Sequence, residues 1–157
     1  MIISRYCDKD WASVEGRLVE HAKESNGYPE LDVDLAWIRQ SLYDNPLALL
    51  ATDGENLLGL IIFGIYEHWH TPQLGASDLI ISVDPAYRSG RVAKALIKGA
   101  EEWARQLGCV YFQMSTAFHT DIDSRTLQYY RHLGYKDRGS VVYKLLGECD
   151  GVNNTSS

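Results

Sequence analysis

Asp78-Leu79-Ile80-Ile81-Ser82-Val83-Asp84-Pro85-Ala86-Tyr87-Arg88-Ser89-Gly90-Arg91-Val92-Ala93-Lys94-Ala95-Leu96 is the stretch on which the fold turns. Its first six residues read as an apolar strand. A short turn carrying Pro85 and Gly90 follows, and from Val92 the apolar positions recur at helical spacing through Leu96, Ala100, Trp103 and Leu107. A strand that passes through a small-residue turn into a helix leaves the first N–H groups of that helix without intrahelical partners. It also points the positive end of the helix dipole at the turn. Such a turn is a seat for an anionic phosphate.

Outward from this stretch the pattern is regular. Met1–Tyr6 reads as a strand, and the helix after it carries Trp11, Val14, Leu18 and His21 on one side and stops near Asn26-Gly27. A second helix, capped around Asp32 to Asp34, carries Leu35, Ile38 and Leu42 and ends at Asn45-Pro46. Leu47–Thr52 and Leu57–Tyr66 read as a hairpin about Asp53-Gly54, with Gly75–Val83 as the next strand. Cys109–Met114 is another strand, and a last helix runs from caps at Asp121–Ser124 to His132. Tyr135–Arg138 and Ser140–Leu146 then read as two short strands. The expected fold is a single α+β domain over residues 1–147, with a mixed, mostly antiparallel sheet of about seven strands and about four helices. Residues 148–157 form a polar tail.

Composition removes several functions. An acidic chain, with a sequence pI near 5.3, does not suit general nucleic-acid binding. No apolar run approaches the roughly 20 residues of a membrane span, and three distant cysteines suit a reduced, cytoplasmic setting. Charge is uneven: residues 1–78 carry 13 acids against 5 bases, residues 79–157 carry 8 acids against 10 bases. That split suits an anionic cofactor on one side and a cationic substrate on the other. The phosphate turn is not a P-loop, because no Gly-Lys-Ser/Thr follows it. His68-Trp69-His70 lacks a third ligand at metal spacing, so no metal is expected.

The element order, with Val83-x-Pro85-x-Tyr87-Arg88-x-x-x-x-Ala93, resembles the GNAT superfamily of acetyl-CoA-dependent N-acetyltransferases. The variant spelled here looks most like enzymes of bacteria and their phages. The family's loop reads Arg/Gln-x-x-Gly-x-Gly/Ala. Its first glycine falls on Arg91, and this chain has Gly90 one place earlier. A second match is Tyr130-Arg131-His132-Leu133-Gly134-Tyr135, similar to the family's Tyr-x-x-x-Gly-Phe. The resemblance implies acetyl-CoA as co-substrate, its pyrophosphate on Arg88, Ser89, Gly90, Arg91, Val92 and Ala93, and its pantetheine on main-chain groups of Ile81, Ser82 and Val83. It also implies that Tyr130 protonates the departing thiolate. It implies an acceptor pocket between the first two helices, where Tyr28 and Glu30 lie, with a homodimer as a common assembly. Either a small molecule or a protein would offer the amine.

The chemistry of each role is consistent. A thiol near pKa ~8.5 and a phenol near ~10 make proton transfer from Tyr130 uphill by only about 2 kcal/mol. Freeing the lone pair of an alkylamine of pKa ~10.4 at neutral pH costs about 4–5 kcal/mol, so a base or a water relay is needed. Asp78, Glu67, His68 and His70 are the candidates, His68 also as an acceptor contact. With no cysteine in either motif, direct attack in a ternary complex is expected rather than an acetyl-enzyme. The alternative is a module that binds acetyl-CoA without catalysis.

Overall fold

A computed structural model describes residues 1–24, 33–115 and 125–139. Its elements are β1 (Ile2–Arg5), α1 (Trp11–Glu24), α2 (Leu35–Asp44), β2 (Ala48–Asp53), β3 (Asn56–His68), β4 (Thr71–Val83), α3 (Arg91–Gln106), β5 (Cys109–Gln113) and α4 (Arg125–His132). The strands form one mixed sheet in the order β1-β2-β3-β4-β5, antiparallel except for the parallel pair β4–β5.

The sheet has five strands among the described residues, not about seven. Tyr135–Arg138 does not form a strand. Its first residue completes the end of α4 instead: the Tyr135 N–H donates to the Tyr130 carbonyl (3.1 Å) and the Gly134 N–H to that of Arg131 (3.0 Å). This is a Schellman-type closure around Gly134, at φ +97°. Arg131 and Asp137 then pair across the turn. The segment expected as the last strand, 140–146, and the expected tail lie outside the described residues, as do Tyr28 and Glu30.

Unbroken apolar runs in β2 and β3 arise because both faces of the sheet are covered. Successive side chains alternate, so Leu49, Ala51, Ile61 and Phe63 meet α3 through Val92, Leu96, Ile97 and Ala100. Their neighbours Ala48, Leu50, Leu60 and Ile62 meet Val14, Leu18 and Leu42 of α1 and α2. Leu60 and Ile61, one on each side, are fully buried, each worth about 1.5–3 kcal/mol against exposure. α2 begins where expected, with the Asp34 carboxylate accepting from the Trp37 N–H at 2.9 Å.

The β3–β4 hairpin is longer than the sequence pattern indicates, turning at Trp69-His70. It also contains a bulge. Ile62 pairs with Ile80 but Phe63 pairs with Asp78, leaving Leu79 as the extra residue. The bulge resets the alternation. Without it Asp78 would share the α1 side with Ile80 and Ser82. With it, Asp78 lies opposite Phe63 on the side that carries α3 and α4.

Candidate active site

The site begins where β4 and β5 part. Their parallel ladder runs from Leu74–Cys109 to Ser77–Gln113 and stops. At the next residue the Asp78 side chain replaces the ladder, its Oδ1 accepting from the Ser115 N–H at 2.8 Å. β4 then continues to Val83 with its outer edge open among the described residues. Asp78 is only 6% exposed. Burial pushes its carboxyl up to about 6, the Ser115 donors working in the opposite direction.

The register decides which main-chain groups line that open edge. The Asp84 N–H donates to the Leu58 carbonyl at 2.9 Å, and in an antiparallel ladder alternate residues turn toward the partner. Ser82 therefore faces β3, while Ile81 and Val83 present their N–H and C=O groups outward. Of the three expected pantetheine contacts, Ser82 differs for this reason. Its buried hydroxyl points to α1, where it accepts from Arg17 Nε at 2.9 Å.

Arg17 is 8% exposed and also pairs with Glu24 (2.5 Å), the last residue of α1. Glu24 pairs in turn with Arg88. Arg88 Nε donates to the Val83 carbonyl at 3.0 Å, so this side chain folds back over the end of β4. The two guanidinium groups hold the Glu24 carboxyl below the usual range, Arg88 contributing most. Nearby, burial followed by Arg17 pushes His21 down and favours its neutral form.

Beyond Val83 the chain makes a tight turn over Pro85–Tyr87, in which the Asp84 carboxylate accepts from the Ala86 N–H at 2.8 Å. Gly90 caps α3 at φ +82°, a left-handed conformation that suits glycine. Arg91 is the first helical residue, and no non-glycine residue described has positive φ. The glycine displaced by one position thus occupies the left-handed place itself, and Arg91 needs no strain. The first helix bond runs from the Lys94 N–H to the Gly90 carbonyl (3.0 Å). The N–H groups of Arg91, Val92 and Ala93 are thereby left to the mouth of the turn. Ser89 and Arg91 are exposed there, whereas the Val92 side chain enters the core.

Tyr130 of α4 is 6% exposed. Its phenol is raised well above the usual range, first by burial and then by the charge of Asp78. Glu67 is not brought to this pair. It lies opposite Leu74, four residues along β3 from Phe63, roughly 13 Å at strand spacing, and is exposed. His68 is engaged with the Tyr111 hydroxyl, which also donates to Tyr66 at 2.7 Å. Three features lay beyond sequence reasoning: the Leu79 bulge, the buried Arg17, and Tyr129, whose hydroxyl donates to the Gly90 carbonyl at 2.7 Å. Only Tyr129 carried a signal, its place beside Tyr130 in the second motif.

Residues 14–135 match the Acetyltransferase (GNAT) family. The chain belongs to that family. It is thus an acyltransferase, and the open edge of β4 leading to the Gly90 turn is the part of the fold to compare with its relatives. Aminoglycoside N(6')-acetyltransferase type 1 of Acinetobacter haemolyticus is 27% identical over 139 residues, covering 86% of this chain and 88% of that protein. Among solved structures, the apo aminoglycoside 6'-N-acetyltransferase AAC(6')-IG of the same organism is 24% identical, with a TM-score of 0.67 over 94% of this chain and 99% of the other. Aminoglycoside N-acetyltransferase AAC(6')-Iy in complex with CoA is 15% identical, with a TM-score of 0.72 over 94% and 100%. These structural likenesses show the shared fold. No helix among the described residues is long and apolar enough to cross a membrane.

Proposed function

We propose that this GNAT protein transfers the acetyl group of acetyl-CoA to a primary amine of a small cationic acceptor, of the aminoglycoside type that its relatives' names record. The observation that carries the reading is the continuous path from the fork at Asp78, along the outward groups of Ile81 and the outward N–H of Val83, to the N–H groups behind Gly90. Pyrophosphate belongs on Arg91, Val92 and Ala93, and pantetheine on the β4 edge. Ser89 and Gly90 shape the turn, and Arg88 holds it to the Val83 carbonyl. The cofactor supplies the activated thioester.

Asp78 takes the ammonium proton, for which its raised carboxyl is suited near neutral pH. The amine lone pair forms the N–C bond at the acetyl carbonyl. An outward N–H of β4 stabilises the oxyanion. The C–S bond then breaks, Tyr130 gives its proton to the sulfur, and the second proton of the amine, shed as the amide forms, returns to the tyrosinate through water. The order of events helps the second proton transfer. Asp78 loses its negative charge when it accepts the amine proton, and that charge is one of the causes holding the Tyr130 phenol up. Base protonation therefore makes the neighbouring acid stronger just as the thiolate forms.

An amine panel including aminoglycosides, polyamines and a lysine peptide, read by thiol release and product mass, tests the acceptor class. Tyr130→Phe is expected to lower kcat by about tenfold to 10³-fold with acetyl-CoA binding retained. Unchanged kcat removes the acid role from Tyr130. Binding of acetyl-CoA without thiol release on any amine would mark a non-catalytic module.

A further inference from the structure

We propose that Tyr129 is a positioning residue for the pyrophosphate seat, orienting the first N–H of α3 through the Gly90 carbonyl; this rests on the reading of that turn given above. The Gly90 carbonyl accepts twice, from the Lys94 N–H at 3.0 Å and from the Tyr129 hydroxyl at 2.7 Å. A carbonyl and the N–H of the following residue share one planar trans peptide and point in opposite directions. Holding the Gly90 oxygen inward therefore turns the Arg91 N–H outward, into the mouth of the turn.

The Tyr129 ring gives the same peptide a wall. A Cβ built on Gly90 would stand 3.4 Å from Tyr129 Cε2, so the ring lies against the one residue of the turn that has left-handed geometry. Gly90 would otherwise be the freest residue of the seat. The hydroxyl and the ring restrain it from α4, an element 39 residues away in sequence. Burial raises the Tyr129 phenol, which stays a donor throughout the neutral range. Tyr129 also packs against the core cluster that includes Tyr130. Two adjacent tyrosines on one helix thus divide the work: Tyr129 shapes the phosphate end and Tyr130 serves the thioester end.

Tyr129→Phe keeps the ring and removes only the donor. Titration calorimetry with CoA is expected to show about fivefold weaker binding, the factor that the net worth of one hydrogen bond provides. kcat at saturating acetyl-CoA should stay within about twofold of the parent protein. S-acetylpantetheine, which lacks the pyrophosphate, provides the decisive comparison: with it, kcat/KM of the variant should equal that of the parent. Equal CoA affinity in both proteins overturns the proposal, as does an equal loss with S-acetylpantetheine, which would mark a general packing role. Failure of the parent protein to bind CoA overturns the seat itself, and is read before the variant is considered.

Discussion

Asp78→Asn separates the structural duty of the carboxylate at the fork from its proposed role as the base. The substitution leaves a side-chain oxygen to accept from Ser115 and deletes the titrating group. In the folded protein the carboxyl titrates at about 6, against an ordinary 3.8. The folded state therefore holds the proton more tightly than the unfolded chain. A raised carboxyl contributes favourably at low pH, and that contribution is lost as pH rises from about 4 to about 6. Integrated between pH 4.5 and 7, this group costs the parent protein about 2 kcal/mol of stability. The variant has no such term. The difference in stability, variant minus parent, should therefore move in favour of the variant by about 2 kcal/mol over that interval. Urea unfolding at several pH values measures it, and using the difference cancels the other carboxylates. Activity should move the other way. The acid limb of kcat, rising through about pH 6 in the parent, should vanish, with kcat at pH 7.5 lower by about 10²-fold. A stability difference independent of pH would refute the burial argument. An acid limb unchanged in the variant would refute the base assignment.

Two further substitutions probe what holds the site. Arg17→Met should destabilise by about 1–3 kcal/mol, less than a fully orphaned buried pair, because Glu24 keeps Arg88 when it loses Arg17. An unchanged urea midpoint would show the Ser82–Arg17–Glu24 connection to be inert. Gly59→Ala would place a Cβ 2.8 Å from the Ser82 carbonyl oxygen and 3.2 Å from Val83 Cα, both main-chain atoms that cannot swing aside. A cost of about 1–3 kcal/mol is expected, read as a Tm fall of roughly 2–4 °C per kcal/mol, together with weaker CoA binding as the open edge of β4 is displaced. A Tm equal to that of the parent would show that β3 and β4 separate there without penalty.

The helices and the first five strands were legible because their signals are local. The α3 face repeats at helical spacing, Asp34 caps α2 from three residues away, and the apolar runs of β2 and β3 are long enough to need cover on both faces. The reading of Tyr135–Arg138 as a strand failed. Tyr135 has the composition of a strand residue, but its N–H is committed to the closure of α4. The site divides similarly. The loop and Tyr130 follow from short motifs, whereas the side of the sheet that Asp78 occupies depends on a bulge at Leu79. A single extra residue reverses every facing assignment between two strands. Arg17 was hidden because its partner Ser82 lies 65 residues away, and nothing in the α1 pattern marks a cation as buried.

The one-place shift of the loop glycine has a kinetic consequence. With the left-handed turn assigned to Gly90, residue 91 carries no conformational duty and stands exposed at the entrance. On the proposed reading of the turn as a pyrophosphate seat, its guanidinium lies where the incoming polyanion first meets the protein, in a chain whose net charge of −6 repels such a ligand at long range. Capture speed can thus be adjusted at position 91 by changing charge alone, and the adjustment should fade as added salt shortens the reach of the field. A glycine there could not supply this local attraction.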